Sequence, residues 1–109
     1  MSRRTEAAAA EVFFALGDPT RLSLVGKLGG GARSATSLAD GAKVTRQAIV
    51  KHLRVLEGAG LVTHEKRGRD VLYALEGGKL AEAREFLDAV SARWDRALER
   101  LRNFVEDRA

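Results

Sequence analysis

VTRQAIVKHLRVLEGAGLV, residues Val44 to Val62, is the stretch whose reading decides the fold. Ala48, Ile49, His52, Leu53 and Leu56 recur at the spacing of one helical face and are expected to pack inward. Arg46, Gln47, Val50, Lys51 and Arg54 fall on the opposite side. That outer face is cationic and carries an amide. Such side chains contact phosphates and base edges, and a helix is the element that fits the major groove of B-form DNA. Thr45 stands where an N-cap belongs, and Gly58 and Gly60 end the run. The pattern implies a DNA-reading helix, although a helix with a merely solvated charged face carries the same signal.

Working outward, Ser34 or Thr36 is placed to cap a short helix through Leu38 and Ala39, closed by Gly41, with Lys43 and Val44 bridging to Thr45. Two short helices joined by a tight glycine-containing turn, the second one basic, form a helix-turn-helix over residues 34–56. On spacing alone any helical hairpin satisfies this. The chain after it narrows the choice. Leu61 to Lys66 is expected as a strand, Arg67 to Asp70 as a turn and Val71 to Leu75 as the returning strand. A β-hairpin over 61–75 directly after a reading helix is a wing. Arg67 and Arg69 at its tip can then reach the phosphate backbone or an adjacent minor groove, with Lys66 adding phosphate attraction, although an ordinary solvated hairpin carries the same charged turn.

Towards the ends, Ser2 to Leu16 is a helix candidate with Val12, Phe13 and Leu16 on its apolar side, stopped by Gly17. Asp18 fits an N-cap and Pro19 the first position of a second helix, where a missing N–H costs nothing. That helix is expected to run to about Leu28, burying Leu22, Leu24, Val25 and Leu28, before Gly29, Gly30 and Gly31 stop it. After Gly77 and Gly78 a long helix is expected from Lys79 to Glu106. Its apolar residues Leu87, Val90, Trp94, Ala97, Leu101 and Phe104 alternate steps of three and four, the spacing of a helix-to-helix seam, and Phe86, Leu98 and Val105 widen the stripe. The stripe is broader than a small winged domain covers alone, which points to pairing with a second copy. Packing against the first helix satisfies part of it too, and Val12, Phe13 and Leu16 can join the same interface. Residues 1–16 and 79–107 are thus the expected dimerisation helices.

The chain has 109 residues, 45% of them hydrophobic, and is expected to form one domain over 1–109. It has no cysteine, which removes disulfides, thiolate metal ligands and thiol redox switching. No secretory leader and no apolar run approaching the roughly 18 residues of a membrane span is present, so a soluble, cytoplasmic protein without a membrane partner is expected. The net charge of +4 is unevenly divided. Residues 1–42 contribute +1, residues 43–75 contribute +4 and residues 76–109 contribute −1. The excess sits where the reading helix and wing are, as a nucleic-acid binder requires.

Taken together, ALGDPTRL (Ala15 to Leu22), TRQAIVKHLRVLEGAGLV (Thr45 to Val62) and THEKRGRDVLYAL (Thr63 to Leu75) resemble the ArsR-type winged helix-turn-helix transcriptional repressors, also known as the ArsR/SmtB family. The resemblance implies a mainly α fold with a small β-hairpin, in the order α-α-α-α-β-β-α. It also implies a homodimer through the first and last helices, an inverted-repeat promoter operator of double-stranded DNA as partner, and Thr45, Arg46, Gln47 and Lys51 facing that DNA. The chain departs from the metal-sensing members. Residues 34–42 contain no Cys or His, and the last helix offers carboxylates but no His, a poor donor set for zinc or thiophilic metals. The similarity is therefore to the branch without the usual metal sites, and no metal or other cofactor is expected. His52 and His64, the only histidines, have no companion ligand at a recognisable spacing.

Three function classes compete. The leading one is a homodimeric, sequence-specific repressor that is not metal-responsive, with a metal-responsive repressor using non-cysteine ligands as its variant. A winged domain that binds protein is the second, since fold alone does not settle function. Such a domain has no need for Arg46, Gln47, Lys51 and Arg54 to converge. An enzyme is the third, and the residues speak against it. No nucleophile stands beside a recognisable base, and the glycines at 29–31 lack the Lys and Ser/Thr of a phosphate-binding loop. The operator, the regulated genes and any small-molecule effector are not specified by this pattern.

Overall fold

Three helix starts are fixed by side chains that stand in for missing intrahelical partners. In the computed structural model, which describes residues 3–108, Asp18 accepts from the Arg21 N–H at 3.0 Å, with Pro19 following it. Ser34 accepts from the Ser37 N–H and Thr45 from the Ala48 N–H, each at 3.1 Å. These caps divide the first half of the chain into α1 (Arg3–Leu16), α2 (Pro19–Leu28), α3 (Ala35–Ala39) and α4 (Arg46–Gly58). The expected start of α1 at Ser2 lies outside the described residues. A three-stranded antiparallel sheet and a long helix, α5 (Gly77–Arg108), complete the chain.

The sheet is one strand richer than the sequence suggests. Arg33 and Ser34 form β1, a two-residue strand that pairs with Tyr73 and Leu72 of β3 (Asp70–Leu75). β2 (Val62–Arg67) flanks the other side of β3, giving the order β1-β3-β2. Register places Arg67 opposite Asp70, so the hairpin closes through only Gly68 and Arg69, and Gly68 adopts φ 61°. A two-residue hairpin loop needs a left-handed residue, which glycine supplies without a Cβ clash. The expected four-residue turn is thus tighter, with Arg67 and Asp70 in the ladder.

The core gathers Val12 and Ala15 of α1, Leu24 and Leu28 of α2, Leu38 of α3, Ile49, Leu53 and Leu56 of α4, Leu61 and Val62 at the base of the wing, and Ala83 of α5. Leu22 does not join it, contrary to expectation, and is 57% exposed. Leu22 and Leu24 are two residues apart, about 200° around a helix, so α2 cannot turn both inward. Leu24 with Leu28, four residues on, defines the buried side.

α5 sets the shape. Its 32 residues extend about 48 Å at 1.5 Å per residue. The molecule measures 68 × 30 × 20 Å with a radius of gyration of 18.8 Å, against about 13 Å for a compact domain of this length. The first part of the helix lies along α1, where the rings of Phe13 and Phe86 sit 6.3 Å apart at 55°. From Ser91 to Arg108 every residue is exposed. No helix among the described residues is long and apolar enough to cross a membrane.

Candidate nucleic-acid interface

α4 presents its inward and outward faces much as the sequence implies. Ile49, Leu53 and Leu56 are buried, while Ala48 and His52 are only half-buried at the flank. On the outer side Thr45, Arg46, Gln47, Ala48, Val50, Lys51 and Arg54 line one shallow depression. Arg46, Gln47, Lys51 and Arg54 are exposed there, whereas Val50 packs partly against the core and forms an apolar wall. The depression can receive an anion or a polar edge. It has a hydroxyl, an amide and three cations within four helical turns of backbone.

Two neighbours hold this helix in place. From α3, Thr36 accepts a hydrogen bond from Arg46 Nε at 3.2 Å, tying the two helices of the helix-turn-helix together on their outer side. From the α1–α2 corner, Arg21 donates from Nε to the Ala15 carbonyl at 2.6 Å and from Nη2 to the Phe14 carbonyl at 3.2 Å. Its Nη1 lies 3.4 Å from His52 Nδ1, and Asp18 Oδ2 is 3.8 Å from that same ring nitrogen. His52 therefore has a structural setting. The Asp18 carboxylate is held below its ordinary value of 3.8 chiefly by the Arg21 backbone N–H it accepts from. Burial opposes this, and the charges of His52 and Arg21 add to the lowering.

The wing stands beside this face. Lys66, Arg67 and Arg69 are all exposed near its tip, with Arg67 3.8 Å from Glu65 on the same strand. Its base is fixed by backbone hydrogen bonds, Leu61 N–H to the Leu56 carbonyl and Glu76 N–H to the Leu61 carbonyl. Gly60, at φ 79°, makes the turn between α4 and the wing, and a Cβ there would stand 2.7 Å from Lys79 Cγ. The start of α5 is thus packed against this turn. His64, halfway along β2, donates from Nδ1 to Glu57 Oε1 of α4 at 2.5 Å.

A helix-turn-helix domain family model matches residues 16–65, which span α2, α3, α4 and the first wing residues. An ArsR-like transcriptional regulator from Rhodococcus sp. RHA1 is 41% identical in sequence and superposes with a TM-score of 0.79, over 92% of this chain and 94% of that one. This chain belongs to the ArsR-type family of winged-helix regulators. Among its ArsR-type relatives, the transcriptional repressor SmtB of Mycobacterium tuberculosis is 39% identical over 84 residues, 77% of this chain and 61% of SmtB. The chain thus spans about three fifths of that relative's length. The cadmium sensor CmtR of the same organism is similar too, at 37% identity and a TM-score of 0.55 over 69% of this chain and 75% of that structure.

The residues expected at the dimer contact are divided by the ArsR-type fold into two groups. Leu87, Trp94, Ala97, Leu98, Leu101 and Phe104 are exposed on α5, and Val90 is half-buried. Val90, Trp94, Ala97, Leu98 and Leu101 also border one shallow apolar hollow with Arg93. On α1, Phe13 and Leu16 are half-buried against the core, but Val12 is 1% exposed and belongs wholly to the chain's own interior. It is therefore not part of an exposed contact surface. The α1 residue that does face outward is Phe14, 72% exposed, with the Arg21 guanidinium 5.7 Å from its ring centre. Periodicity gave no reason to single it out from Phe13. The Thr36–Arg46 bond, the contacts of Arg21 and the Glu57–His64 pair carry no signal in the sequence either, because each joins elements that only tertiary packing brings together.

Proposed function

We propose that the chain acts as a homodimeric transcriptional repressor that reads an inverted repeat in double-stranded DNA and does not respond to metal. The observation that carries the reading is the convergence of Thr45, Arg46, Gln47, Lys51 and Arg54 around one depression on the outer side of α4, beside a wing with Arg67 and Arg69 exposed at its tip. A dimer seated on the α5 stripe places two such helices in successive major grooves, about 34 Å apart. Gln47 is suited to adenine through its amide, and Lys51 to guanine or phosphate. Arg46 is tied to Thr36 in the free protein and serves first as a clamp of the helix pair. Arg54, Lys66, Arg67 and Arg69 supply phosphate attraction and a steep salt dependence.

The likeness to a cadmium sensor raises a metal-responsive reading as the alternative. Against it stand the donor types in this chain, which has no cysteine and whose two histidines are engaged with Arg21 and Asp18 or with Glu57. Metal analysis of the purified protein, with DNA binding repeated after chelation, separates the two. Metal that leaves together with DNA affinity overturns the proposal.

Selection of bound duplexes from a random pool, followed by titration at several salt concentrations, tests the DNA reading directly. Gln47→Ala is expected to relax sequence preference, and Arg67→Ala to weaken all duplexes alike and flatten the salt slope by roughly one contact per wing. Failure to select any sequence, or the absence of a salt-sensitive specific complex, overturns it.

A further inference from the structure

The wing is anchored at its base by backbone, and among the described residues a side-chain hydrogen bond holds its outward course against α4. Glu57 lies in the last turn of α4, where unpaired carbonyls concentrate negative charge and where α4 has no basic residue of its own. A carboxylate is poorly placed there unless a cation answers it. The side chain that answers is His64 of β2, which donates to Glu57 Oε1 while its ring lies 5.8 Å from that of Tyr73 on β3. We infer that Glu57 and His64 are a positioning pair that sets the angle of the wing against the reading helix, and that protonation of His64 tightens it. The inference rests on the DNA-binding reading above and names a pH-dependent control within that site.

The leverage comes from geometry. Arg67 stands three residues beyond His64, roughly 10 Å further along the strand. A small rotation of β2 about the Glu57 contact is therefore magnified at the basic tip. The groups facing His64 from each packed element are few. Glu57 comes from α4, and Tyr73 comes from β3 as the direct cross-strand partner. Arg33 of β1 occupies the same row through its pairing with Tyr73, but its guanidinium is turned away to Ser37, on Oγ at 3.0 Å and on the carbonyl at 3.1 Å. Lys66 shares the face of β2 by alternation, while Glu65 and Arg67 point to the other face and meet each other. Glu57 is thus the carboxylate in this set that touches the ring. A neutral His64 still donates one hydrogen bond to it. A protonated one adds a charge-assisted attraction, which is stronger. The wing is therefore more firmly set when the ring carries a proton on both nitrogens.

The test compares wild type, H64Q and E57Q on a duplex selected by the wild-type protein from random sequence, from about pH 8 to about pH 5, the interval in which histidine titrates. Any pH dependence left in H64Q belongs to other groups and is subtracted. The wild type is expected to gain roughly three- to tenfold in affinity over H64Q on acidification, an exposed ion pair acting in each of two wings. E57Q is expected to lose that gain and follow the H64Q profile. If E57Q keeps the full gain, His64 acts merely as an added positive charge, and the inference is overturned. Identical profiles for wild type and H64Q overturn it as well. A second arm needs no DNA. Backbone order parameters of residues 66–70 in the free protein are expected to rise on acidification in wild type and to stay flat in E57Q, and a flat wild type overturns the pair. Failure of the wild type to select any duplex would instead strike the DNA reading, leaving this second arm to decide the inference.

Discussion

In α4 the apolar residues at helical spacing are gone from solvent, with Ile49, Leu53 and Leu56 at 1% exposure or less. In the outer part of α5 the same kind of spacing leaves Trp94, Leu98, Leu101 and Phe104 each more than half exposed. The two helices carry the same sort of stripe and differ in what lies across it. α4 is enclosed by α1, α2, α3 and β2 of its own chain, whereas α5 runs past α1 and continues alone. A helix-to-helix seam is thus a statement about a required partner and not about burial within the chain. The body around α4 is self-sufficient, and the limb formed by α5 holds back an apolar surface of the kind that soluble chains rarely leave uncovered.

That contrast can be broken from either side. The largest effect is expected from Trp94→Asp combined with Leu101→Asp. If the proposed dimer forms through this stripe, circular dichroism is expected to report a folded body, sedimentation a shift from dimer to monomer, and DNA titration a loss of about a hundred- to ten-thousandfold as two linked half-site contacts become one. An unchanged sedimentation profile would show that the limb's stripe serves something other than self-association. Leu53→Ala strikes the body instead and is expected to cost about 2–5 kcal/mol in denaturant unfolding, because the enclosed site cannot collapse around the gap.

Smaller effects sharpen the picture of how the body is held at its corners. Thr45→Ala removes the cap of α4 and is expected to cost about 1 kcal/mol, read from the same unfolding curves, with weaker DNA binding as the first turn frays. Asp18→Asn is the mildest. Asparagine caps about as well as aspartate, so stability near neutrality should hardly move. The difference appears in acid. Because the folded state holds Asp18 below 3.8, its ionised form contributes stability that is fully present above that value and is lost as pH falls beneath it. The wild type is expected to lose that contribution in an acid titration, and the Asn variant to have none to lose.

Much of the body was legible because its signals are local. Asp18 with Pro19, Thr45 three residues before Ala48, and the alternation of Ile49, Leu53 and Leu56 each fix a helix start or face without reference to the rest of the chain. The basic outer face of α4 followed from the same periodicity. What the sequence concealed is non-local. β1 is two residues long, too short for alternation to register, and its partner Tyr73 lies far along the chain. Leu22 looked as apolar as Leu24, and only the position of the core decides which side of α2 turns inward. Val12, expected at a contact with a second copy, lies in the chain's own interior, while Phe14, to which the pattern assigns no role, faces outward. The partners of His64 and of Arg46 come from other elements and carry no periodic mark.

The length of α5 has one more consequence, and it concerns phase. Phe86 is clamped against Phe13, and Gly60 is closed against Lys79, so the root of the helix is indexed to the body. The free stripe from Val90 onward inherits its azimuth from that root through an unbroken helix. One residue inserted between them would turn the whole stripe by about 100° and advance it 1.5 Å. On the proposed dimer, such an insertion would swing the partner's α4 off the groove without altering a single residue that touches DNA. In that dimer the limb would keep two bodies in step, and tolerance to insertion at this point should return when a whole number of turns is approached.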